Sequence, residues 1–218
     1  GGDSMNRTIN VVLADDHIVV RSGLTRLLEQ NSDIKVIGEA ESGEQAYRIY
    51  AERMPDVLIM DLSMPGMGGL EALRRIIGDW PDAKIIIYTM HENTSYAIQS
   101  MSTGAMGYVA KSGPTSDLIN AVKKASAGEK YLSGDMAQKI ALNSVAGDDD
   151  PSQLLTAREF EVFRLLAEGK TIEDIASDLD IGLKTVANHQ TNIRQKLDIN
   201  SPVELVRLAI KHGVIIKN

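Results

Sequence analysis

A carboxylate, a hydroxyl or a lysine follows several short apolar runs in the first half of the chain, and these positions are Asp15, Asp16, Asp61, Thr89 and Lys111. Three carboxylates that meet at one place would form the hard oxygen site that Mg²⁺ prefers. A lysine and a hydroxyl beside them could hold the oxygens of a phosphoryl group. The sequence has no glycine-rich P-loop, which argues against a nucleotide as the bound phosphate. The combination indicates a site for cation-assisted phosphoryl chemistry.

An acidic pair after a strand also has a simpler interpretation, because aspartate often closes a turn or caps a helix. Asp15 and Asp16 alone would not separate the two interpretations. Five residues at four matching strand ends favour the site. The adjacent His17 is better explained by capping or lining the start of the next helix than by metal ligation.

The apolar runs that carry these residues are rich in β-branched side chains and do not alternate strictly, as is typical of strands buried on both faces of a parallel sheet. Stretches with apolar residues at helical spacing lie between them. Strand followed by helix, five times over, predicts a doubly wound α/β domain. The predicted strands are residues 11–13, 36–37, 57–60, 85–87 and 108–109, and the predicted helices are residues 22–30, 44–53, 70–77, 95–102 and 116–127. In such sheets ligands bind outside the carboxyl ends of the strands, where the strand order reverses.

The apolar period becomes helical throughout the last third of the chain, which predicts an all-α module of four helices. Capping boxes mark three helix starts, because the cap side chain and the residue three positions later satisfy each other's free N–H groups. These boxes are Thr156 with Glu159, Thr171 with Asp174, and Ser201 with Glu204, the last followed by Pro202 at the first helical position. The remaining helix is predicted over about residues 185–197.

The predicted organisation is a first domain over 5–128, a linker with a short helix over 129–152, and a second domain over 153–218. The short helix is expected over 133–145. The linker is placed at 147–152, where a glycine, an acidic run and a proline occur together. Residues 1–4, which precede Met5, are expected to be a remnant of cloning and are left out of the fold argument.

Composition excludes several classes of protein. No apolar run exceeds four residues, so neither a transmembrane helix nor a secretory signal is predicted, and a cytoplasmic location is expected. The chain has no cysteine, which excludes disulfides, cysteine-ligated zinc and thiol catalysis. The net charge is −7, yet residues 184–218 hold six basic and two acidic side chains. Such a cluster could be a solvated helix face or the footprint of nucleic acid.

Residues 9–128 resemble a response-regulator receiver domain. The resemblance rests on Leu-Ala-Asp15-Asp16-His, Met-Asp61-Leu-Ser-Met-Pro65-Gly, Tyr-Thr89, and Gly-Tyr108-Val-Ala-Lys111. It implies a flavodoxin-like sheet in which Asp61 accepts a phosphoryl group from a histidine kinase. It also implies that Asp16, Asp61 and the backbone carbonyl of Ser63 ligate Mg²⁺ directly, with Asp15 acting mainly through water. Thr89 and Lys111 would contact the phosphoryl oxygens, and Tyr108 would be a rotamer switch.

Residues 151–215 resemble a LuxR-type helix-turn-helix domain, through stretches such as Leu155-Thr-Ala-Arg-Glu159 and Lys184-Thr185-Val186. With the receiver, this makes the chain similar to response regulators of the NarL/FixJ class. The resemblance implies a motif from about Thr171 to Gln190, whose second helix, over 185–197, enters the major groove of DNA.

Two positions depart from the LuxR pattern, which usually has lysine where this chain has Glu173 and Ala187. The loss of two cations should weaken the electrostatic part of DNA binding and change base preference. By position, Ala187, Asn188 and Thr191 should face base edges. The full set predicted to contact DNA is Lys184, Thr185, Ala187, Asn188, His189, Thr191, Arg194 and Lys196. For Arg194 and Lys196, plain solvation at the helix end is the alternative.

These observations predict a regulator, not an enzyme, that accepts and slowly loses a phosphoryl group and binds promoter half-sites as a homodimer when phosphorylated. A Mg²⁺-dependent phosphatase is one alternative, although Ser63 stands where an aspartyl phosphatase would need a second carboxylate. The other alternative keeps the receiver and makes the C-terminal module a protein-interaction domain, because of Glu173 and Ala187.

Overall fold

The structure is a computed structural model and describes residues 7–92, 94–143 and 150–215. These residues divide into two compact units. The first unit holds the described residues up to Met90 together with Gly104–Leu132. The second holds His91–Thr103 and the described residues from Ser133 onward. Residues 1–4 and the predicted linker residues 147–149 lie outside the part of the chain that the structure describes.

A six-stranded, all-parallel sheet forms the centre of the first unit, with strand order β2-β1-β3-β4-β5-β6. The strands are β1 (Ile9–Ala14), β2 (Ile34–Ala40), β3 (Val57–Met60), β4 (Ile85–Thr89), β5 (Gly107–Ala110) and β6 (Tyr131–Leu132). The predicted flavodoxin-like parallel α/β fold is confirmed. The sheet has six strands instead of the five predicted. The additional strand, β6, was not predicted because two residues are too few to give an apolar pattern.

Helices connect the strands, as the sequence pattern predicts. The helices as far as the end of this sheet are α1 (Ile18–Glu29), α2 (Gly43–Arg53), α3 (Gly68–Asp79), α4 (Thr94–Thr103) and α5 (Thr115–Ser126). Leu28 of α1 and Val122 of α5 pack into one apolar cluster with Leu13 and Ile59 on the sheet. Strands β3 and β4 are buried along their whole length, so their side chains contribute to the core from both faces.

The second unit is helical. It contains α4 together with α6 (Gly134–Asn143), α7 (Pro151–Leu154), α8 (Ala157–Ala167), α9 (Ile172–Leu179), α10 (Leu183–Leu197) and α11 (Pro202–Lys211). The capping box at Thr156 is complete, since its hydroxyl accepts from the N–H of Glu159 and the Glu159 carboxylate accepts from the N–H of Thr156. Helix α10 begins two residues before the predicted start at Thr185, with Gly182 as its N-cap.

One short helix lies where the sequence predicts linker. Asp150 caps α7 by accepting from the N–H of Ser152, and Pro151 occupies the first helical position. Four residues give no helical apolar period, so composition alone could not separate this turn from a linker. Among the described helices, none has the length and apolar composition that a bilayer crossing needs.

Candidate functional site

The strand order of the sheet reverses between β1 and β3, which are neighbours, and two aspartates follow these strands directly. Asp15 follows β1 and Asp61 follows β3. The ammonium of Lys111, which follows β5, lies between them, with Nζ 2.5 Å from Asp15 Oδ2 and 2.9 Å from Asp61 Oδ2. The structure therefore joins three of the predicted residues at the reversal of strand order, where open α/β sheets bind their ligands.

Asp15 is buried yet remains ionised. Burial raises the pKa of its carboxyl, but hydrogen bonds from Lys111 and from the N–H of His17 outweigh burial, so the net effect holds the pKa below its ordinary value. Burial lowers the pKa of Lys111, and the two aspartates reverse this and raise it. Asp15 and Lys111 thus stabilise each other's charged forms.

Asp16 lies at the rim of the pocket with its side chain one-third exposed, and the Nδ1 atom of His17 is 2.8 Å from its Oδ1. Carboxylate oxygens of Asp15 and Asp16 and a ring nitrogen of His17 lie within 4.8 Å of one another, close enough to share a cation. Two carboxylates at this spacing provide the hard oxygen donors that suit a divalent cation which keeps part of its water shell.

The Asp61 carboxylate is nearly buried, with 6% of the residue exposed, and its Oδ1 accepts from the N–H of Ser63 at 3.2 Å. The backbone of the same residue is packed against the start of α3. A Cβ added to Gly69 would lie 2.1 Å from the Asp61 carbonyl oxygen, so only glycine fits there. No residue pattern predicts this role of Gly69, because adjacent glycines indicate only a turn.

The other predicted residues of this site lie on the neighbouring strands. Thr89 is the last residue of β4, is fully buried, and accepts the N–H of Lys111 at its carbonyl, at 2.8 Å. Tyr108 lies inside β5 and is also buried. Tyr88, which was not among the predicted site residues, lines the same pocket as Asp15 and Asp61, and the Lys111 ammonium lies 5.8 Å from its ring centroid.

Helix α10 presents one polar face to solvent. Val186 and Ile193 are completely buried and fix the helix to its unit. The side chains predicted to face DNA bases, those of Ala187, Asn188 and Thr191, are exposed. Lys184, Thr185, Arg194 and Lys196 are also exposed, and His189 is half-buried. A three-residue turn containing Gly182 joins α9 to α10, a geometry typical of helix-turn-helix motifs.

Lys196 has a partner inside its own unit. Its Nζ lies 2.6 Å from the Oε1 atom of Glu159, whose carboxylate is buried in the capping box at the start of α8. Burial raises the pKa of Glu159, but Lys196 and the N–H of Thr156 outweigh burial and hold the pKa below its ordinary value. Lys196 therefore links α10 to α8, and its contact with DNA stays a prediction.

This pair gives the second unit an acid-sensitive contribution to stability. Because the folded-state pKa of Glu159 is lowered, the contribution is complete above the unfolded-state pKa and is lost as the pH falls through the folded-state pKa. We expect Glu159→Gln to lower the free energy of unfolding by about 0.5–1 kcal/mol at pH 7 and to flatten its decline in acid. Glutamine preserves the capping box, so the charge alone is removed.

Urea unfolding followed by circular dichroism between pH 3 and pH 7 measures this effect. Glu173→Gln, at an exposed site in the first turn of α9, is the matched control. An acid slope in Glu159→Gln as steep as in the parent would contradict the assignment.

Helix α4 packs against the C-terminal helices through a buried amide. The Nε2 atom of Gln99 donates to the carbonyls of Ser152 and Leu155, both at 2.9 Å, and Gln99 is 2% exposed. The ring of Tyr96 meets that of Phe160 edge to face, with centroids 5.6 Å apart. A neutral hydrogen-bonded amide and an aromatic pair thus fix α4 to the start of the C-terminal helices.

Two family models match the chain one after the other. Residues 11–123 match the family described as the response regulator receiver domain, and residues 153–209 match the bacterial regulatory proteins of the luxR family. The response regulator UvrY of Escherichia coli strain K12 is 38% identical over 208 residues, covering 94% of this chain and 95% of UvrY. The chain is a two-component response regulator of the NarL/FixJ class.

Solved structures of another member of the class resemble the whole chain. The structure of RcsB from Salmonella enterica serovar Typhimurium bound to promoter rprA with the phosphomimetic BeF3⁻ is 29% identical, covers 93% of this chain and 98% of its own, and has a TM-score of 0.72. A second structure, of two RcsB dimers bound to two parallel DNAs, is 28% identical with the same coverage and a TM-score of 0.59.

Membership of this class decides between the interpretations left open by the sequence. The response regulator is a transcription factor with a DNA-binding LuxR-type helix-turn-helix, not an enzyme, so the phosphatase alternative is wrong. The interaction-module alternative is also wrong, because the helix-turn-helix family match spans the positions of Glu173 and Ala187.

Proposed function

We propose that Asp61 accepts a phosphoryl group from a histidine kinase and that this event controls binding of DNA by helix α10. The observation that carries the proposal is the Lys111 ammonium held between Asp15 and Asp61. A carboxylate attacks phosphorus effectively only when nearby positive charge compensates the negative charge that gathers there. In the transfer, an oxygen of Asp61 bonds to phosphorus as the bond from phosphorus to the kinase histidine breaks.

Mg²⁺ is the cation that this donor set fits. Asp15, Asp16 and Asp61 would hold it with the backbone carbonyl of Ser63, and when bound it would screen the phosphoryl oxygens from the carboxylates. The protein's own contribution is orientation. The N–H of Ser63 fixes one oxygen of Asp61, and Lys111 holds the other.

Thr89 and Lys111 would then contact the transferred group, and Tyr108 would respond to it. The chain suggests a route from Thr89 to the helical unit. Thr89 ends β4, and the next helix along the chain is α4, whose Gln99 and Tyr96 pack against residues from α7 to α8. A shift of Thr89 toward a phosphoryl oxygen would alter the start of α4 and so bias a two-state equilibrium in that packing.

On DNA, the exposed face of α10 would enter the major groove. Ala187, Asn188 and Thr191 would meet base edges there. The DNA backbone would be contacted by Lys184, Thr185, His189, Arg194 and Lys196. We expect a homodimer on paired half-sites, because RcsB binds DNA as dimers in one of its solved complexes. The site of action is the cytoplasm, since both a promoter and the kinase's phosphohistidine must be within reach.

The test is a selection of bound fragments from random DNA, performed with and without acetyl phosphate and Mg²⁺. We expect acetyl phosphate to enrich a paired half-site sequence, and EDTA to remove both the enrichment and the phosphoryl label. Binding that weakens steeply with salt would identify the phosphate contacts. The same fragments bound equally with and without label would refute phosphorylation control.

A further inference from the structure

A buried arginine on α1 reaches back to the strand end that carries the acidic pair. Arg21 is 4% exposed, and its Nη1 donates to the backbone carbonyl of Asp15 at 2.6 Å. Its Nη2 donates to Glu41 at 3.2 Å, and its Nε lies 3.6 Å from a carboxylate oxygen of Glu39. Neither the sequence pattern nor the proposed chemistry assigns a role to this side chain.

The contact with Asp15 continues the sheet beyond its last residue pair. Strands β1 and β2 pair as far as Ala14 and Ala40, and the N–H of Asp15 then donates to the Ala40 carbonyl at 3.0 Å. Arg21 donates its hydrogen bond to the backbone carbonyl of the same residue, Asp15. That carbonyl belongs to the peptide unit between Asp15 and Asp16, so holding it fixes the direction in which both carboxylates leave the backbone.

A guanidinium in this position is costly unless its bonds compensate for desolvation. Hydrogen bonds to the Asp15 carbonyl and to the Glu41 carboxylate supply part of that compensation. Glu39 adds an ion pair at 3.6 Å, while Nε itself makes no hydrogen bond among the described residues. The planar fork of arginine bonds the Asp15 carbonyl and Glu41 through two different nitrogens at once, which a lysine ammonium on a single flexible stem cannot reproduce.

We propose that Arg21 is a positioning residue for the cation site: it orients the Asp15–Asp16 peptide so that both carboxylates are preorganised to receive a divalent cation. This inference rests on the proposed function of the Asp61 site. Arg21 makes no contact with the phosphoryl group in this role. It acts through the backbone of Asp15, as outer partners of metal ligands commonly do.

Charge and positioning predict opposite results when Arg21 is replaced. By charge alone, removing a cation beside an acidic site would strengthen the binding of Mg²⁺. If Arg21 positions the ligands, its removal weakens binding, because the carboxylates must be ordered when the cation arrives. A purely structural arginine would lower thermal stability and leave cation affinity unchanged.

The experiment measures Mn²⁺ binding by electron paramagnetic resonance, and acetyl phosphate labelling as a function of Mg²⁺ concentration. We expect Arg21→Met to raise the dissociation constant for Mn²⁺ about tenfold or more, with the half-saturating Mg²⁺ concentration for labelling rising equally. Labelling at saturating Mg²⁺ should return close to the parent rate. Arg21→Lys should give an intermediate affinity. Arg26→Met, the same substitution at an exposed site on the same helix, should change neither value.

A folded Arg21→Met protein with parental or tighter Mn²⁺ binding would overturn the proposal. If Arg21→Met does not fold, parental affinity in Arg21→Lys would overturn it instead. A parent protein that neither binds Mn²⁺ nor takes the label would refute the proposed function of the site. That result is distinct from a failure of the inference about Arg21.

Discussion

The Asp61→Asn protein is expected to take no phosphoryl group from acetyl phosphate, whatever the Mg²⁺ concentration. The side chain keeps its shape and can still accept the hydrogen bond from the N–H of Ser63, but an amide oxygen is not a nucleophile that forms an acyl phosphate at this site. Loss of label should be complete. Intact mass spectrometry and phosphate-affinity electrophoresis measure it directly.

A control comes from the opposite end of the same strand. Asp56 precedes β3, and its carboxylate accepts from the N–H of Asn10, a bond that asparagine can also accept. Asp56→Asn should therefore be labelled at the parental rate. If Asp61→Asn still acquires a hydroxylamine-sensitive label, the acceptor is another carboxylate, and the assignment of Asp61 is wrong.

On the recognition face of α10, Asn188→Ala should weaken binding to the cognate site by about 1–3 kcal/mol and relax preference at one base position. The reason is that the exposed amide of Asn188 can bond adenine at two atoms. Lys184→Ala should weaken binding to all sequences alike and reduce the salt slope by about one unit, because a phosphate contact carries charge but no sequence information. Ala187→Lys should raise non-specific affinity.

Fluorescence anisotropy at several salt concentrations, on cognate and scrambled duplexes, separates these effects. Lys196→Ala is a useful comparison, because the Lys196 ammonium already bonds Glu159 within the unit. Its loss should alter stability more than the salt slope. Unchanged affinity and unchanged base preference in Asn188→Ala would mean that α10 does not contact bases through this residue.

Strand-end chemistry explains why much of the receiver site could be anticipated. Carboxyl ends of parallel strands meet at one edge, so residues that follow β1, β3 and β5 had to converge once the strands were identified. The sequence could not predict the side chains that support these site residues through their backbone, such as Arg21. Arg21 lies inside an amphipathic helix pattern, and its partner is a backbone carbonyl, which leaves no trace in residue types.

The range over which a sequence signal acts explains which elements of the fold were predicted correctly and which were not. Capping residues located the start of α8 well because the bonds are made between residues three apart in the sequence. Strand β6 and helix α7 were not predicted because each is only about one period long, so that no apolar pattern is repeated within it. The packing of α4 in the second unit was not predicted for another reason. Its apolar spacing indicates that one face of the helix is buried, but it does not indicate which residues cover that face.

The membership of α4 in the helical unit has a consequence for any attempt to divide this chain. A fragment that starts at residue 150 is continuous in sequence but leaves out a piece of its own fold. The carbonyls of Ser152 and Leu155 would lose the amide of Gln99, and Phe160 would lose the ring of Tyr96. We expect such a fragment to expose the Phe160 ring and the two carbonyls that α4 covers. A synthetic peptide of residues 91–103 should then bind to that surface.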